Sequence, residues 1–467
     1  MLTHKKSFEC NCWNVIVLII LTIITILHQN AFQHSFDDIS TIRIVVIFLI
    51  IYQLFIIRRK KLHFFDFAVA FTFTNYLFVE SYLFIWEKAD AADAYWRMDY
   101  TAQQWNQAFL YGLCYIHGMF TGLTWKDQVS GLSLDKINAQ NKNYSNKMVF
   151  LIGLILFILT LPCKIYIDAL TIVSNRANQV YSAILTADQV NGVVFNGSLL
   201  VNVAVIYIIA SKRLSKKTAI IFFTLFFAYA LGITTMAGGR RFTVTAFIST
   251  FPCLLYCYNI KLKKKHVFIM ATSAYLGLLF LKTVSATRHD LARSPIEYLE
   301  LAMNYVQGND VFFDAIAEFG NTIFPYIIAL DYFPNYADFI WGKSLIIVWI
   351  AAIPTIGKIF PTLIHDSSVT AMVATKYRYW FGGALGQEIY GNFGYLAIGL
   401  AIPIGILFHK LLGLYDSRSP ISVARYFSMF YILLNLVRSD LNEFTRLIIW
   451  ALILPILIQN VLKRLKR

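Results

Sequence analysis

The feature that most constrains this chain is a succession of apolar runs, each close to bilayer width, separated by loops that are basic on every second occasion. A membrane helix needs roughly 17 to 25 mostly apolar residues. Twelve runs approach that length, at about 13–27, 42–57, 64–86, 105–123, 148–165, 193–210, 219–236, 242–260, 267–284, 392–408, 426–437 and 447–462. In lipid every backbone polar group must be satisfied internally, and runs of this length do so as helices. With 58% hydrophobic and 14% charged residues among 467, the expected fold is an all-α, polytopic membrane protein of about twelve spans. The first run follows Lys5 and Lys6, and Gln29, Asn30 and Phe32 occupy the place of a small-residue cleavage site, so it reads as an uncleaved first helix.

The net charge of +15 does not call for nucleic acid, because the cations sit in short clusters between apolar runs and not on one surface. Loops on alternate sides hold 25 of the 41 Lys and Arg residues with only Glu9, Asp127, Asp135 and Asp416 as anions, so they carry about +21 and the rest of the chain about −6. Cations collect on the cytoplasmic side of membrane proteins, which places both termini there. The six cysteines fall mostly inside or beside the runs, a pattern that suggests neither a disulfide framework nor a zinc site.

This arrangement divides the chain into nine helices over 1–284, a loop of about a hundred residues on the outer side over 285–391, and three helices over 392–467. Long loops are usually functional. Within it, 295–306 has one apolar helical face suited to the membrane surface, while 322–330 and 344–356 are apolar, contain proline and are too short to span, so each is expected to be re-entrant or packed on the bundle.

Candidate functional residues gather on the outer side. Gly238, Gly239, Arg240 and Arg241 form a very short turn where cations are disfavoured; arginine forks match phosphate oxygens and glycine lets a ligand approach the backbone. Snorkelling to lipid phosphates is the plainer account. Arg438, Asp440, Glu443 and Arg446 sit in the last outer turn, as a phosphate site or as a structural ion-pair network. In the long loop stand Arg288, His289, Asp290 and Arg293, then Glu318, then Lys376 and Arg378, then Glu388. Taken singly these read as loop charges; together they offer cations for phosphate and carboxylates able to take a proton from a hydroxyl. Glu318 and Glu388 lie beside glycines between apolar stretches, where a solvated glutamate is less expected. Glu80, about two turns inside the third run, is an intramembrane charge, which marks function by default and is equally a polar cavity wall. There is no Walker loop, dinucleotide fingerprint, paired-histidine spacing or Asp-rich metal motif, so no cofactor and no metal are expected.

The layout resembles the Wzy-type O-antigen and capsule repeat-unit polymerases of bacteria. The features shared are about twelve spans, the GGRR turn at 238–241, a long outer loop late in the chain, an E-x-G element (Glu318, Phe319, Gly320), a G-x-E-x-Y-x-N-F-G element over 386–394, and an outer Arg438. The resemblance implies a membrane-embedded, lipid-donor glycosyltransferase that moves a growing glycan from one undecaprenyl diphosphate onto a single repeat unit on another at the outer face of the plasma membrane. On this reading Arg240 and Arg241, with Gly239, Arg378 and Asp440, bind the diphosphate-linked oligosaccharide, Arg288 and Arg438 complete the phosphate sites, and Glu318 or Glu388 is the base. Membrane lipids surround the enzyme, and the resemblance leaves room for a chain-length regulator protein. A flippase of the same lipid-linked glycan and the related O-antigen ligase are the alternatives. A flippase would line a pathway on both sides with charge, and the charges here lie outward.

Overall fold

The structure, a computed structural model, describes residues 2–29, 35–63, 65–86, 100–125, 142–176, 192–237, 240–261, 263, 272, 275, 300, 316, 319–353, 356–377, 382–415 and 419–465. Every element among them is helical. They are α1 (Leu2–Gln29), α2 (Asp38–Arg59), α3 (Phe67–Asn75), α4 (Ala102–Leu123), α5 (Lys142–Arg176), α6 (Gly192–Leu199), α7 (Val201–Ala210), α8 (Lys216–Ala237) and α9 (Arg240–Cys257). After these come α10 (Ile323–Tyr332), α11 (Lys343–Ala351), α12 (Ile356–Ile359), α13 (Pro361–Asp366), α14 (Val369–Tyr377), α15 (Leu385–Phe393), α16 (Leu396–Gly413), α17 (Pro420–Asn435) and α18 (Leu441–Arg464).

Seven helices among the described residues are long and apolar enough to cross a membrane: Phe8–Gln29, Asp38–Arg59, Phe67–Ile85, Asn146–Val173, Gly192–Ala210, Leu396–Gly413 and Leu441–Arg464. The other expected runs fall on α4, α8, the shorter apolar stretch Phe242–Cys257 and α17. The run at 267–284 and the surface helix expected at 295–306 lie almost wholly outside the described residues.

The chain forms two compact units. One gathers Met1–Leu132, Ile316–Leu414 and Leu433–Thr445; the other Ser133–Ala315, Tyr415–Ile432 and Arg446–Arg467. In the first, α4 is buried on nearly every face, with α1, α2, α3, α10 and α16 packed around it. Thr101 opens α4 with a capping box, its hydroxyl accepting from Gln104 N at 3.3 Å while Gln104 Oε1 accepts from Thr101 N at 2.8 Å. Small residues then let α4 and α16 meet backbone to backbone: a methyl built on Gly118 would stand 2.7 Å from Ala401 Cβ, and one on Gly405 would stand 2.6 Å from Met119 O.

The third run does not stay α-helical. It passes from α3 into a π turn at Tyr76–Glu80 and a 3-10 turn at Ser81–Ile85. Side chains along it take up backbone carbonyls, Asn75 Nδ2 donating to Phe71 O at 2.8 Å and Ser81 Oγ to Leu77 O at 2.6 Å, which competes with regular winding. π turns concentrate at functional sites.

In the second unit, α5 packs on α6, α7 and α8, and α9 on α7 and α8. Asn202 of α7 clamps α9, donating to Ser249 Oγ at 3.0 Å and accepting from Thr250 Oγ1 at 2.8 Å.

Candidate functional site

The described residues between 319 and 394 build a site in the first unit. Of the two short proline-containing stretches left open by the sequence, 322–330 forms α10, which is almost entirely buried and packs on α4. Pro325 falls in its first turn, where a missing N–H costs nothing. Of the other, 344–356, the residues up to Ala351 lie in α11, which buries Ser344, Val348 and Ala351 and exposes Ile346, Trp349 and Ile350, while Pro354 lies outside the described residues.

Five of the six fixed positions of the G-x-E-x-Y-x-N-F-G element, Gly386, Glu388, Tyr390, Asn392 and Gly394, have a clear physical task. Gly386 lies against the Tyr326 ring, where a methyl would come within 2.8 Å of Cζ. Gly386 O accepts from Tyr111 OH at 2.8 Å. Tyr390 packs edge-on against Tyr111, with ring centroids 5.1 Å apart. Asn392 pins the start of α11, its Oδ1 accepting from Gly342 N at 2.9 Å and its Nδ2 donating to Ser344 Oγ at 2.8 Å. Gly394, at φ +57°, ends α15 in a conformation that glycine alone adopts readily.

Glu388 is the centre of the element and is fully buried. Its Oε2 accepts from Val369 N at 2.8 Å, and its Oε1 from Thr370 N at 3.3 Å and Thr370 Oγ1 at 3.0 Å. The carboxyl thus sits on the N-terminus of α14, where partial positive charge favours an anion. Burial nevertheless dominates, and with the nearby Asp440 it outweighs the donors from Val369 and Thr370, so the carboxyl is raised to about 8. A group that exchanges its proton near neutral pH is suited to acid–base chemistry. Thr370 and Gln387 also line a small cleft with Pro325, Ile328, Val373, Tyr377 and Gly382. Tyr377 OH donates to Asp331, whose other oxygen accepts from Gln104 Nε2 at 2.9 Å.

The turn between α17 and α18 joins this site. Leu385 N donates to Leu436 O at 2.9 Å, and Gly383 approaches Asp440 so closely that a methyl would stand 2.8 Å from its Cα. Asp440 Oδ1 accepts from Glu443 N at 2.8 Å, capping α18. The Arg438 guanidinium lies 5.4 Å from the Phe78 ring on the π turn, and Phe78 also meets Phe319 at 5.5 Å.

The structure therefore brings Glu388, Arg438 and Asp440 into one unit. Arg240 and Arg241 open α9 in the other unit, and their side chains are outside what is described. Gly239, Arg288, Glu318 and Arg378 lie outside the described residues. Phe319 and Gly320 of the E-x-G element pack on the π and 3-10 turns, Gly320 so near that a methyl would stand 2.7 Å from Tyr82 N. Glu80 is fully buried on the π turn and neither carboxylate oxygen has a hydrogen-bond partner among the described residues. Sequence reasoning missed Thr370 and Gln387; the one signal for Gln387 was its place inside the 386–394 element.

The family model for the O-antigen polysaccharide polymerase Wzy matches residues 11–465, nearly the whole chain. The chain belongs to this family. No curated protein and no solved structure matches it. As a Wzy-family polymerase it is a multi-pass membrane enzyme of glycosyltransferase type, acting on lipid-linked oligosaccharide in O-antigen repeat-unit polymerisation.

Proposed function

We propose that this Wzy polymerase joins repeat units at the outer face of the bacterial plasma membrane, with undecaprenyl diphosphate as the leaving group. An acceptor hydroxyl oxygen bonds to the anomeric carbon of the donor glycan. The bond from that carbon to the diphosphate oxygen breaks, its electron pair leaving with the diphosphate, and the hydroxyl proton passes to a carboxylate. Fixed arginines stabilise the charge that develops on the diphosphate, so the transfer runs without a metal or cofactor. Arg240 and Arg241 hold one headgroup, with Gly239 admitting it close to the backbone; Arg288, Arg378 and Arg438 complete the phosphate sites, and Asp440 orients the turn that carries Arg438. Of the two candidate bases, Glu318 and Glu388, the second is preferred.

The observation that carries this reading is the fully buried Glu388 carboxyl, raised by that burial and hydrogen-bonded by the hydroxyl of Thr370, a residue that also lines the cleft. In this proposal the Thr370 hydroxyl passes the proton inward to the carboxylate. Twelve spans with both termini cytoplasmic are proposed from the charge alternation, and a chain-length regulator protein is a proposed partner.

The test is an assay of purified protein in nanodiscs with a matched undecaprenyl-diphosphate repeat unit and neither metal nor nucleotide, read as a glycan ladder. A ladder lost in Arg240→Ala and in Glu388→Gln is the expected result. No ladder, with movement of the same lipid across a liposome membrane, would replace polymerisation by flipping and make the arginines a docking site.

A further inference from the structure

The second unit contains a charged cluster that this chemistry does not use. Lys164 and Asp168 stand one turn apart on α5 and are 8% and 5% exposed. Lys164 Nζ is paired with Asp168 Oδ1, and Tyr229 of α8 donates to Asp168 Oδ2 at 2.6 Å. The same ammonium lies 4.4 Å from the centroid of the Phe242 ring. Phe242 is the third residue of α9 and follows Arg240 and Arg241 directly. Thr243 Oγ1, one residue on, donates to Ala230 O of α8 at 2.9 Å. Three helices thus converge with a lysine against the first turn of the helix that the double arginine opens.

Helix cohesion does not require these charges. An ion pair inside a membrane bundle carries a desolvation cost, and apolar residues of similar volume hold helices together as well or better. The contact between α8 and α9 already has the packed rings of Phe223, Phe227, Phe247 and Phe251, and Asn202 already clamps α7 to α9. A charged residue inside a span is a functional residue by default. Asp168 lies further along α5 than Lys164, toward the end read as outward, so the ammonium is drawn to the same side as the GGRR turn. An ammonium offers three donors and Asp168 accepts one of them. Tyr229 shares Asp168, which weakens its hold on the lysine.

We propose that Lys164 is a third cation of the anion site headed by Arg240 and Arg241, binding the diphosphate headgroup, with Asp168 and Tyr229 as positioning residues that aim its ammonium at the start of α9. The proposal rests on the reading of Arg240 and Arg241 as headgroup ligands. Asp168 keeps the lysine neutralised while the site is empty. An arriving diphosphate, with more charge than one carboxylate, draws the ammonium's other donors. Arginines match phosphate oxygens in pairs, and the lysine acts beside them as a point charge.

The experiment is equilibrium binding of undecaprenyl diphosphate, against undecaprenyl monophosphate, to the full chain in nanodiscs. Lys164→Gln is expected to weaken diphosphate binding about tenfold to a hundredfold, to weaken monophosphate binding less, and Lys164→Arg to restore most of the loss. Tyr229→Phe is expected to weaken diphosphate binding a few-fold at an unchanged melting temperature. Because Lys164→Gln leaves Asp168 unpaired, Lys164→Gln with Asp168→Asn supplies a neutral pair, and it should melt like the wild type and still bind weakly. If that double variant binds as tightly as the wild type while Arg240→Ala does not, the cluster only joins helices and the proposal is wrong. If Arg240→Ala also binds as tightly, the headgroup reading of the arginines has failed and takes this proposal with it.

Discussion

At Glu388 both carboxylate oxygens are committed to the N-terminus of α14, and the same burial that demands those donors raises the carboxyl to about 8. Stability and activity should therefore respond to pH in opposite senses. A carboxyl raised from an ordinary 4.5 favours the folded protein fully below 4.5, and that contribution is lost as pH rises through 8. Catalysis by the ionised form gains over the same rise. From pH 6 to 9 the melting temperature should fall while the polymerisation rate climbs to a plateau; Glu388→Gln should flatten both curves and lower the rate about 10² to 10⁴-fold. A rate that falls with the melting temperature would remove Glu388 as the base. The sequence singled out Glu388 from its glycine-flanked place between apolar stretches, but not its partners, because Val369 and Thr370 are 19 and 18 positions away and meet it only in the folded chain. Glu80 was legible as an intramembrane charge, whereas its glycine was not: Gly112 faces it so closely that a methyl would stand 2.7 Å from Oε1 and 3.1 Å from Val79 Cγ1. Gly112→Ala should cost about 1 to 3 kcal/mol in thermal unfolding. Combined with Glu80→Ala it should cost less than the sum, since the second change vacates the space.

Among elements, the runs that became helices were readable because hydrophobic length is a local property. Departures from simple spans came from contacts. α10 has too few residues to cross and could only be left open in the sequence; its placement follows from α4, which buries it and is itself nearly surrounded. The π and 3-10 turns after α3 were invisible to hydropathy, which counts residues and not winding. The close pairing of α4 with α16 depends on Gly118, Gly122 and Gly405, and the spacing of the first two is the small-residue pattern of membrane helix contacts. Bulk at Gly405 has no side chain to displace, since its neighbours are the Met119 carbonyl and the Leu123 backbone N at 2.6 and 2.8 Å. Gly405→Val should therefore force the helices apart and lower the melting temperature sharply, whereas Gly399→Val, with nothing near its added carbon, should leave it nearly unchanged. Equal effects would mean that α4 and α16 do not meet as described.

For the whole molecule, the charge alternation makes a commitment that can be tested residue by residue. The basic loops carry about +21 and everything else about −6, and moving that bias to the opposite face would contradict the retention of cations on the cytoplasmic side. Tyr336, in the long loop, and Ser215, in a basic loop, are both exposed, so a cysteine at either is open to reagent on whichever side it lies. In intact cells a membrane-impermeant maleimide should label Tyr336→Cys and leave Ser215→Cys unlabelled until the membrane is opened. Cys12 is exposed near the N-terminus and belongs to the cytoplasmic side on the same reading, so the wild type should stay dark in intact cells and label after permeabilisation. Labelling of Ser215→Cys in intact cells would invert the topology and carry Glu388, Arg438 and the GGRR turn to the cytoplasmic face. A polymerase working on the outer leaflet could not then use them. Labelling of Tyr336→Cys alone places the cleft, its buried carboxyl and the last outer turn on the face where a lipid-linked glycan would meet them.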